Sequence, residues 1–402
     1  MAVPEEMPRN SARQPALVLL LVWIVAAVAI LPVIFKWRAS PERTPVSFLI
    51  TCLAYLAAGA IAYFIYRSER WRLTLGQAKV LAFLIFLLTS IVNNVHRVNV
   101  DHASNYFANI SNLKWQQNVQ DNVIQLSPSV IPHSYRFLPN AIVRWMEIAG
   151  AGYQPSRDAY RLVFGMLLFW AIYRYARLYT GHLGALIALL LVSVFLPVSF
   201  ENYAGQLTDP ASHLSFVLSF IFLETGQFWY LLTTLLLGSL AKETVLAMAV
   251  YYVLFHRKDR QYRGKAVLLC TGATLFFFGA RVAVLRGNLH YAEISGVTAS
   301  HIETNFSLAH VWAPLLLLTV GGLLPFLKLA EKDTPRALKL EVLFLFPVLF
   351  ASSLVFSWLH EARNWMPLVF VLAVIAASFL AKQSSDRSQP AEARANATAV
   401  KQ

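Results

Sequence analysis

The chain has few charged residues and few cysteines for a length of 402. Charged residues make up 14% of it, against about 25% in a typical soluble domain. By contrast, 57% of the residues are hydrophobic, and the mean hydropathy is +0.53. This composition disfavours a soluble protein and favours a helical membrane protein, in which each span satisfies its own backbone hydrogen bonds. Cys52 and Cys270 lie in apolar runs, which indicates core residues rather than a disulfide or a metal site.

Several motifs of well-known enzyme classes are missing from the sequence. It contains no G-x-x-x-x-G-K-[ST], no G-x-S-x-G and no H-E-x-x-H. The missing P-loop disfavours an ATP-driven pump. A cleavable signal peptide is not predicted either, because the apolar run 16–35 is too long and lacks a small-residue cleavage site after it. We therefore expect the first helix to be retained.

Acidic residues are scarce relative to basic ones, with 21 Asp and Glu against 34 Lys and Arg, which gives a net charge of +13. In a soluble protein this excess would suggest nucleic acid as a partner. Here most of the basic residues lie between apolar runs, which is the pattern that sets membrane orientation. The sequence therefore predicts a lipid bilayer as the partner and no nucleic acid.

Apolar runs predict the fold class: an all-α, polytopic integral membrane protein with about 12 transmembrane helices. A spanning helix needs about 20 apolar residues. The predicted spans are 16–35, 46–66, 78–93, 159–177, 182–200, 211–224, 227–240, 243–255, 266–285, 309–328, 340–357 and 365–381. The three between 211 and 255 are short and are interrupted by charged residues.

Basic loops predict the orientation. With twelve spans, the Lys- and Arg-rich segments 67–79, 174–177, 257–265 and 328–339 and the C-terminal tail all lie on one side. By the positive-inside rule this side is the cytoplasm, so both termini are expected there, in a bacterial inner (plasma) membrane. Lys36, Arg38 and Arg43 depart from this pattern. The prediction divides the chain into a transmembrane domain, 1–381, and a disordered cytoplasmic tail, 382–402.

The predicted outward segment 93–158 is too long for a simple connector. Pro139 is well placed in the first turn of a helix that Gly150 and Gly152 would end. Its spacing predicts an amphipathic helix in the membrane interface, with Asn140, Arg144 and Glu147 on the polar face. A second such helix is expected from about 104 to 124. The segment is thus predicted to be an extracytoplasmic loop with interfacial helices.

Polar and ionisable residues at span ends carry the candidate chemistry, because they are costly in a membrane. The predicted topology brings them to the outward face. They are Asp101, His102, Tyr135, Arg136, Glu201, Asp209, His213, Lys242, Glu243, Arg281, His360, Glu361 and Arg363.

Each role has a plainer alternative. Asp101 fits a general base, or else a solvated loop residue or helix cap. Arg136 fits a phosphate, or else it snorkels to lipid headgroups. Lys242 and Glu243 bind substrate, or else only pair to lower their burial cost. His102 is expected to be an ordinary interfacial polar residue, with a role in substrate or phosphate binding as the alternative.

Asp209 and His213 are spaced to share one helix face. Together with Asp101 they are candidates to bind a divalent cation. Two residues on one helix do not by themselves define a metal site. The segment His360–Arg363 forms a tight loop before the last span, where substrate or phosphate contact and ordinary loop polarity are the two interpretations.

The order of these segments resembles the GT-C glycosyltransferases, polytopic enzymes that use polyprenyl-phosphate-linked sugars. The likeness rests on Asp101 at the start of a long outer loop and on the runs SYRFLP, LTDPASHLSFVL, LAKETVLAMAV and HEARNWMPLVFVL. It covers most of residues 80–380. In family members the acidic motif usually follows the first membrane helix, whereas here Asp101 follows the third.

The resemblance implies a transferase that moves a sugar from a polyprenyl-phosphate donor to a hydroxyl of a glycan, lipid or protein acceptor. Asp101 would be the catalytic residue, and Arg136, Lys242 and Arg363 would stabilise the leaving lipid phosphate. A secondary transporter with a site around helices 211–255 is the alternative, because transporters build sites from broken helices. A non-catalytic scaffold is a third interpretation.

Overall fold

The computed structural model describes residues 75–106, 112–127, 133–200, 207–257, 261–285, 299–316, 320–332, 334–359 and 361–386. Every regular element within these ranges is helical. The predicted all-α class is therefore confirmed for this part of the chain. Predicted spans 16–35 and 46–66 lie outside the described residues.

Fourteen α-helices occur in the described ranges, numbered here in chain order. They are α1 Leu75–Tyr106, α2 Asn112–Ile124, α3 Phe137–Ile148, α4 Tyr153–Arg177, α5 His182–Phe195, α6 Thr208–Glu224, α7 Phe228–Ser239, α8 Ala247–Phe255, α9 Tyr262–Leu285, α10 Ala299–Ser307, α11 Ala309–Leu316, α12 Gly322–Leu329, α13 Arg336–Phe356 and α14 Met366–Asp386. Short 3-10 turns cover His133–Tyr135, Leu196–Phe200, Glu243–Leu246 and Ala362–Trp365.

Three helical segments in the described ranges are long and apolar enough to cross a membrane: Tyr262–Val284, Arg336–Val355 and Ala362–Lys382. The other predicted spans from residue 78 onward also fall on helices, but these are shorter or less apolar, and the predicted span 309–328 falls on two short helices, α11 and α12. Membrane-spanning capacity is therefore supported by these three segments, and twelve crossings remain a prediction.

Helix α1 differs from the predicted span, because it continues past residue 93 to Tyr106. Asp101 and His102 therefore lie within its last turns rather than in a loop after it. Hydropathy falls beyond residue 93, but the chain has no Gly or Pro between Gly76 and Pro128. A fall in hydropathy marks the point where a helix leaves the lipid core. The helix itself can continue beyond that point, because Gly and Pro are the residues that interrupt helices.

The segment expected to be a long loop is largely helical. Helix α2 falls within the predicted range 104–124, and α3 closely matches the helix predicted around Pro139. Trp145 and Ile148 of α3 are exposed, which suits a helix in contact with lipid. The expected polar face was wrong at Asn140, which is buried and donates a 3.2 Å hydrogen bond to the Arg136 carbonyl.

Helix α14 is the centre of the fold. Nearly every residue from Ala362 to Ala377 is buried, and α14 packs against α5, α12 and α13. Helix α9 is the opposite case, because only 17% of its most apolar 18 residues are buried, against 72% for the last span. The structure extends α14 to Asp386, a few residues into the tail that was expected to be disordered.

Proline marks the first turn of several helices, where its missing N–H costs no hydrogen bond. Pro139, Pro155, Pro210 and Pro367 take this position in α3, α4, α6 and α14. The starts of α3, α6 and α14 converge at one end of the molecule, together with the turn that precedes α8. This convergence positions the candidate site.

Candidate functional site

A bidentate ion pair joins two segments that are distant in the sequence. Arg136, which precedes α3, donates from Nε to Glu243 Oε2 at 3.2 Å and from Nη2 to Glu243 Oε1 at 2.9 Å. The backbone N–H of Leu138 also donates to the Leu240 carbonyl at 3.1 Å. The start of α3 is thus fixed against the end of α7 by both backbone and side chain.

A second group of charges surrounds Arg363. Its Nη1 lies 3.3 Å from Asp209 Oδ2, and its Nη2 lies 2.9 Å from Glu361 Oε2. Lys242 Nζ lies 3.8 Å from Asp209 Oδ1 and donates to Asn364 Oδ1 at 2.7 Å. All five side chains are buried. Buried charges are stable only when they are paired and hydrogen-bonded, as these are.

Glu361 is the most fully satisfied of the carboxylates. Its Oε2 accepts hydrogen bonds from Arg363, from Asn364 Nδ2 at 3.1 Å and from Ser357 Oγ at 3.0 Å. Burial acts to raise the pKa of Glu361, but Arg363 and Lys242 outweigh it and hold the pKa below its ordinary value. Asp209 is less satisfied, because its buried Oδ1 has no hydrogen-bond partner in the described structure.

We call these residues the ion-pair cluster. It consists of Arg136, Asp209, Lys242, Glu243, Glu361, Arg363 and Asn364. Three cations face three carboxylates, so the cluster is close to neutral when all of them are charged. Burial lowers the pKa of Lys242 to about 8, against the attraction of Asp209. The Lys242 ammonium group therefore loses its proton just above neutral pH.

His213 and the aromatic residues complete this end of the molecule. His213 Nε2 lies 3.1 Å from the Arg363 carbonyl, and its ring meets Phe370 edge-on with centroids 5.6 Å apart. The Arg281 guanidinium lies 4.5 Å from the centroid of the buried Tyr135 ring. Such cation–π contacts help to hold a guanidinium in place.

A small cavity of about 40 Å³ borders the cluster. Its walls include Arg136, His213, Lys242, Glu243 and Arg363, with several serines from the region of α13. This volume accommodates about one water molecule. Side chains would therefore have to move before a phosphate group could bind. The cations would then release carboxylate oxygens and contact phosphate oxygens instead.

Helix α1 reaches the same end of the molecule. Its Asn93 lines a second small cavity with Arg161 and His213. Asp101 lies about two turns, or about 12 Å, further along the helix axis. The structure describes the backbone of Asp101 and His102 but not their side chains, and Glu201 and His360 lie outside the described residues.

The structure thus brings together nine of the predicted residues: Tyr135, Arg136, Asp209, His213, Lys242, Glu243, Arg281, Glu361 and Arg363. Among the described residues no group of three His, Cys, Asp or Glu side chains could hold a metal ion. The predicted Asp209–His213 pair instead contacts Arg363. A metal role for Asp101 is not tested, because its side chain lies outside the described part.

Four further residues at this end were missed from the sequence. His133 lies near Arg136, and burial together with Arg136 lowers its pKa to about 4, so it is neutral at pH 7. Arg157 and Arg161 are buried in the first turns of α4. Asn364 bridges Lys242 and Glu361. The spacing of Arg157 and Arg161, four residues apart at the start of a span, is a signal that sequence analysis could have recognised.

No protein-family model matches the chain, and no match is found among curated proteins or solved structures.

Proposed function

We propose that the chain is a membrane glycosyltransferase of the GT-C type. It would move a sugar from a polyprenyl-phosphate donor to a hydroxyl of a glycan, lipid or protein acceptor, on the extracytoplasmic face of a bacterial inner membrane. The topology proposed with it has about twelve spans, both termini in the cytoplasm and the segment 93–158 outside. The ion-pair cluster at the converging helix ends is the observation that carries the proposal.

Charge and helix orientation support an anionic ligand at this end. Arg136, Lys242 and Arg363 come from three separate segments and line the same small cavity. The N-terminal ends of α3, α6 and α14 add the partial positive charge of their helix dipoles. This combination suits a lipid phosphate, whose negative charge grows as the sugar leaves.

The reaction needs a base as well as cations. In the proposed mechanism Asp101 accepts the proton of the acceptor hydroxyl, and the resulting oxygen attacks the anomeric carbon. The bond from that carbon to the phosphate oxygen breaks, and polyprenyl phosphate leaves while the cations stabilise its negative charge. Asp209, whose buried Oδ1 lacks a hydrogen-bond partner in the described structure, would keep Lys242 and Arg363 oriented between turnovers.

The lipid donor can be tested directly. The protein is purified in a mild detergent, and native mass spectrometry is used to identify the lipid that stays bound. We expect a polyprenyl phosphate, and retention of bulk phospholipid alone would count against the proposal. With a lipid-linked sugar as donor, Asp101→Asn is expected to abolish transfer while the protein stays folded. Full activity in that variant would remove Asp101 from the site.

A secondary transporter remains the second candidate because of one feature. Helices α7 and α8 are short and are separated by a non-α-helical segment that holds Lys242 and Glu243. Broken helices of this kind form binding sites in transporters. Flux of a solute across proteoliposomes, abolished by Lys242→Met, would favour this candidate over the transferase.

A further inference from the structure

A second polar site lies far from the ion-pair cluster, at the opposite end of α9. It is an open pocket of about 650 Å³ between the start of α7 and the segment that leads into α9. Lys265 in the pocket and Arg281 beside the ion-pair cluster lie on the same helix, about 24 Å apart along its axis. The two sites therefore lie near opposite ends of the molecule.

The pocket is lined by basic and aromatic side chains. The cations are Arg257, Arg263 and Lys265, and the aromatic residues are Phe228, Trp229 and Tyr262. Lys265 Nζ lies 5.5 Å from the centroid of the Phe228 ring. Tyr262 donates a 2.6 Å hydrogen bond to the Val253 carbonyl, which ties the start of α9 to α8. Tyr262 is thereby held in place in the lining.

An apolar stripe runs from this pocket along α9. Leu268 lines the pocket, and Leu275, Phe278 and Val282 follow it on the same helix face. All four are exposed, with Leu275 at 66%. Helix α9 is one of the three segments long and apolar enough to cross a membrane, and little of it is buried. The stripe therefore faces the lipid chains when the helix spans.

The position of the pocket matches the headgroup level of a bilayer. Tyr262, Arg263 and Lys265 occupy the first turn of α9, and the apolar part of the helix begins directly after them. Tyr and Trp concentrate at this level, and Lys and Arg extend their charges toward it. Trp229, at 69% exposure, lies at the rim of the same pocket.

We propose that this pocket binds the phosphate of an anionic phospholipid, with an acyl chain lying along the exposed stripe of α9. The cations complement the negative headgroup, and the aromatic residues pack against the glycerol region. A soluble phosphate would use only the cations, whereas the stripe that continues from Leu268 gives a lipid additional contact. The proposal concerns a different site from the ion-pair cluster and does not depend on glycosyl transfer.

The test compares lipids on the intact protein. The wild-type chain and the Arg257→Gln/Arg263→Gln variant are placed in detergent micelles and titrated with phosphatidylglycerol or with phosphatidylcholine of the same acyl chains. Native mass spectrometry counts the bound lipids. We expect the wild type to prefer phosphatidylglycerol, and the variant to lose affinity for it by about fivefold for each charge removed.

Lys332→Gln is the matched control, because Lys332 is an exposed cation on another loop of the predicted cytoplasmic side. It should bind phosphatidylglycerol as the wild type does. Equal loss in Lys332→Gln would mean general surface attraction and overturn the proposal, as would unchanged binding in the double variant. Inorganic phosphate is titrated as a competitor, and displacement of the lipid at equal concentration would show a free-anion site instead.

Discussion

The molecule buries polar groups at both ends of the same three helices, and it does so in two different ways. At one end of α4, α6 and α13 lies the ion-pair cluster. At the other end the Tyr175 hydroxyl donates to the carboxyl of Glu341, which is fully buried. Glu224 and Tyr179 lie nearby, and we call these four residues the tyrosine–glutamate cluster.

The two clusters differ in how a charge would be compensated. Each carboxylate of the ion-pair cluster has a cation within 4 Å. The described part of the chain contains no ion pair of Glu341, and Glu341 Oε1 has no hydrogen-bond partner there. A buried, uncompensated carboxylate is costly. One end is therefore built to hold charges, and the other is built to hold a polar but neutral contact.

Asp209→Asn should produce the largest effect at the charged end. The substitution keeps the shape of the side chain but leaves Lys242 and Arg363 with one anion fewer. Removing one partner from a buried ion pair costs about 3–5 kcal/mol. We expect this loss in the free energy of unfolding, measured by denaturation in mixed micelles. Glu331→Gln is the control, because the Lys328–Glu331 pair is exposed and should matter little.

The Arg136–Glu243 pair should show strong coupling. Arg136→Gln alone leaves Glu243 without its cation and should cost about 2 kcal/mol, the range for charge-assisted hydrogen bonds. The double variant Arg136→Gln/Glu243→Gln removes both charges and should recover much of that loss. A double-mutant cycle of unfolding free energies measures this coupling. Additive losses would contradict the pair as described.

Lys242 gives the site a pH dependence. Its pKa in the folded protein is about 8, below the ordinary 10.5, so the ammonium charge is lost between pH 7 and pH 9. If the charged form alone binds a lipid phosphate, affinity should fall about tenfold over this interval. The affinity of the wild type is measured against pH beside that of Lys242→Met. An identical pH profile in the variant would exclude Lys242 as the group responsible.

Glu341→Gln should have the smallest effect of the series. A neutral amide can still accept the hydrogen bond from Tyr175, so the unfolding free energy should change by less than about 1 kcal/mol. The same denaturation experiment as for Asp209→Asn applies. A loss as large as that of Asp209→Asn would mean that Glu341 is charged and that the two ends do not differ.

The sequence was sufficient to place most of the described helices and to predict that the polar residues gather at one end of the molecule. Long apolar runs separated by charged loops determine where helices run, and alternate connections of antiparallel helices return to the same end. Helix α1 was placed too short, because hydropathy reports burial in lipid rather than helicity. Its continuation through Asp101 follows from the absence of Gly and Pro, which was visible in the sequence.

The partners within the site were not predictable from the sequence. Arg136 and Glu243 are 107 residues apart, and only the approach of the start of α3 to the end of α7 selects this pairing over the other cations nearby. Asn364 looked like a neutral loop residue beside Arg363. Glu341 lies at the start of an apolar run, where a single charged residue is common, so the sequence did not single it out as a site residue. Side-chain pairing depends on tertiary distances, which periodicity does not contain.

Lipid binding in nanodiscs distinguishes a phosphate-binding site from a purely structural ion-pair cluster. Wild type and Arg136→Gln/Glu243→Gln are titrated with a polyprenyl phosphate and with the polyprenol of equal length. We predict that the wild type binds the phosphate lipid at least about tenfold more tightly, the worth of one charge-assisted contact, and that the folded double variant loses this preference. Equal affinity of the wild type for both lipids would contradict a phosphate site at the ion-pair cluster.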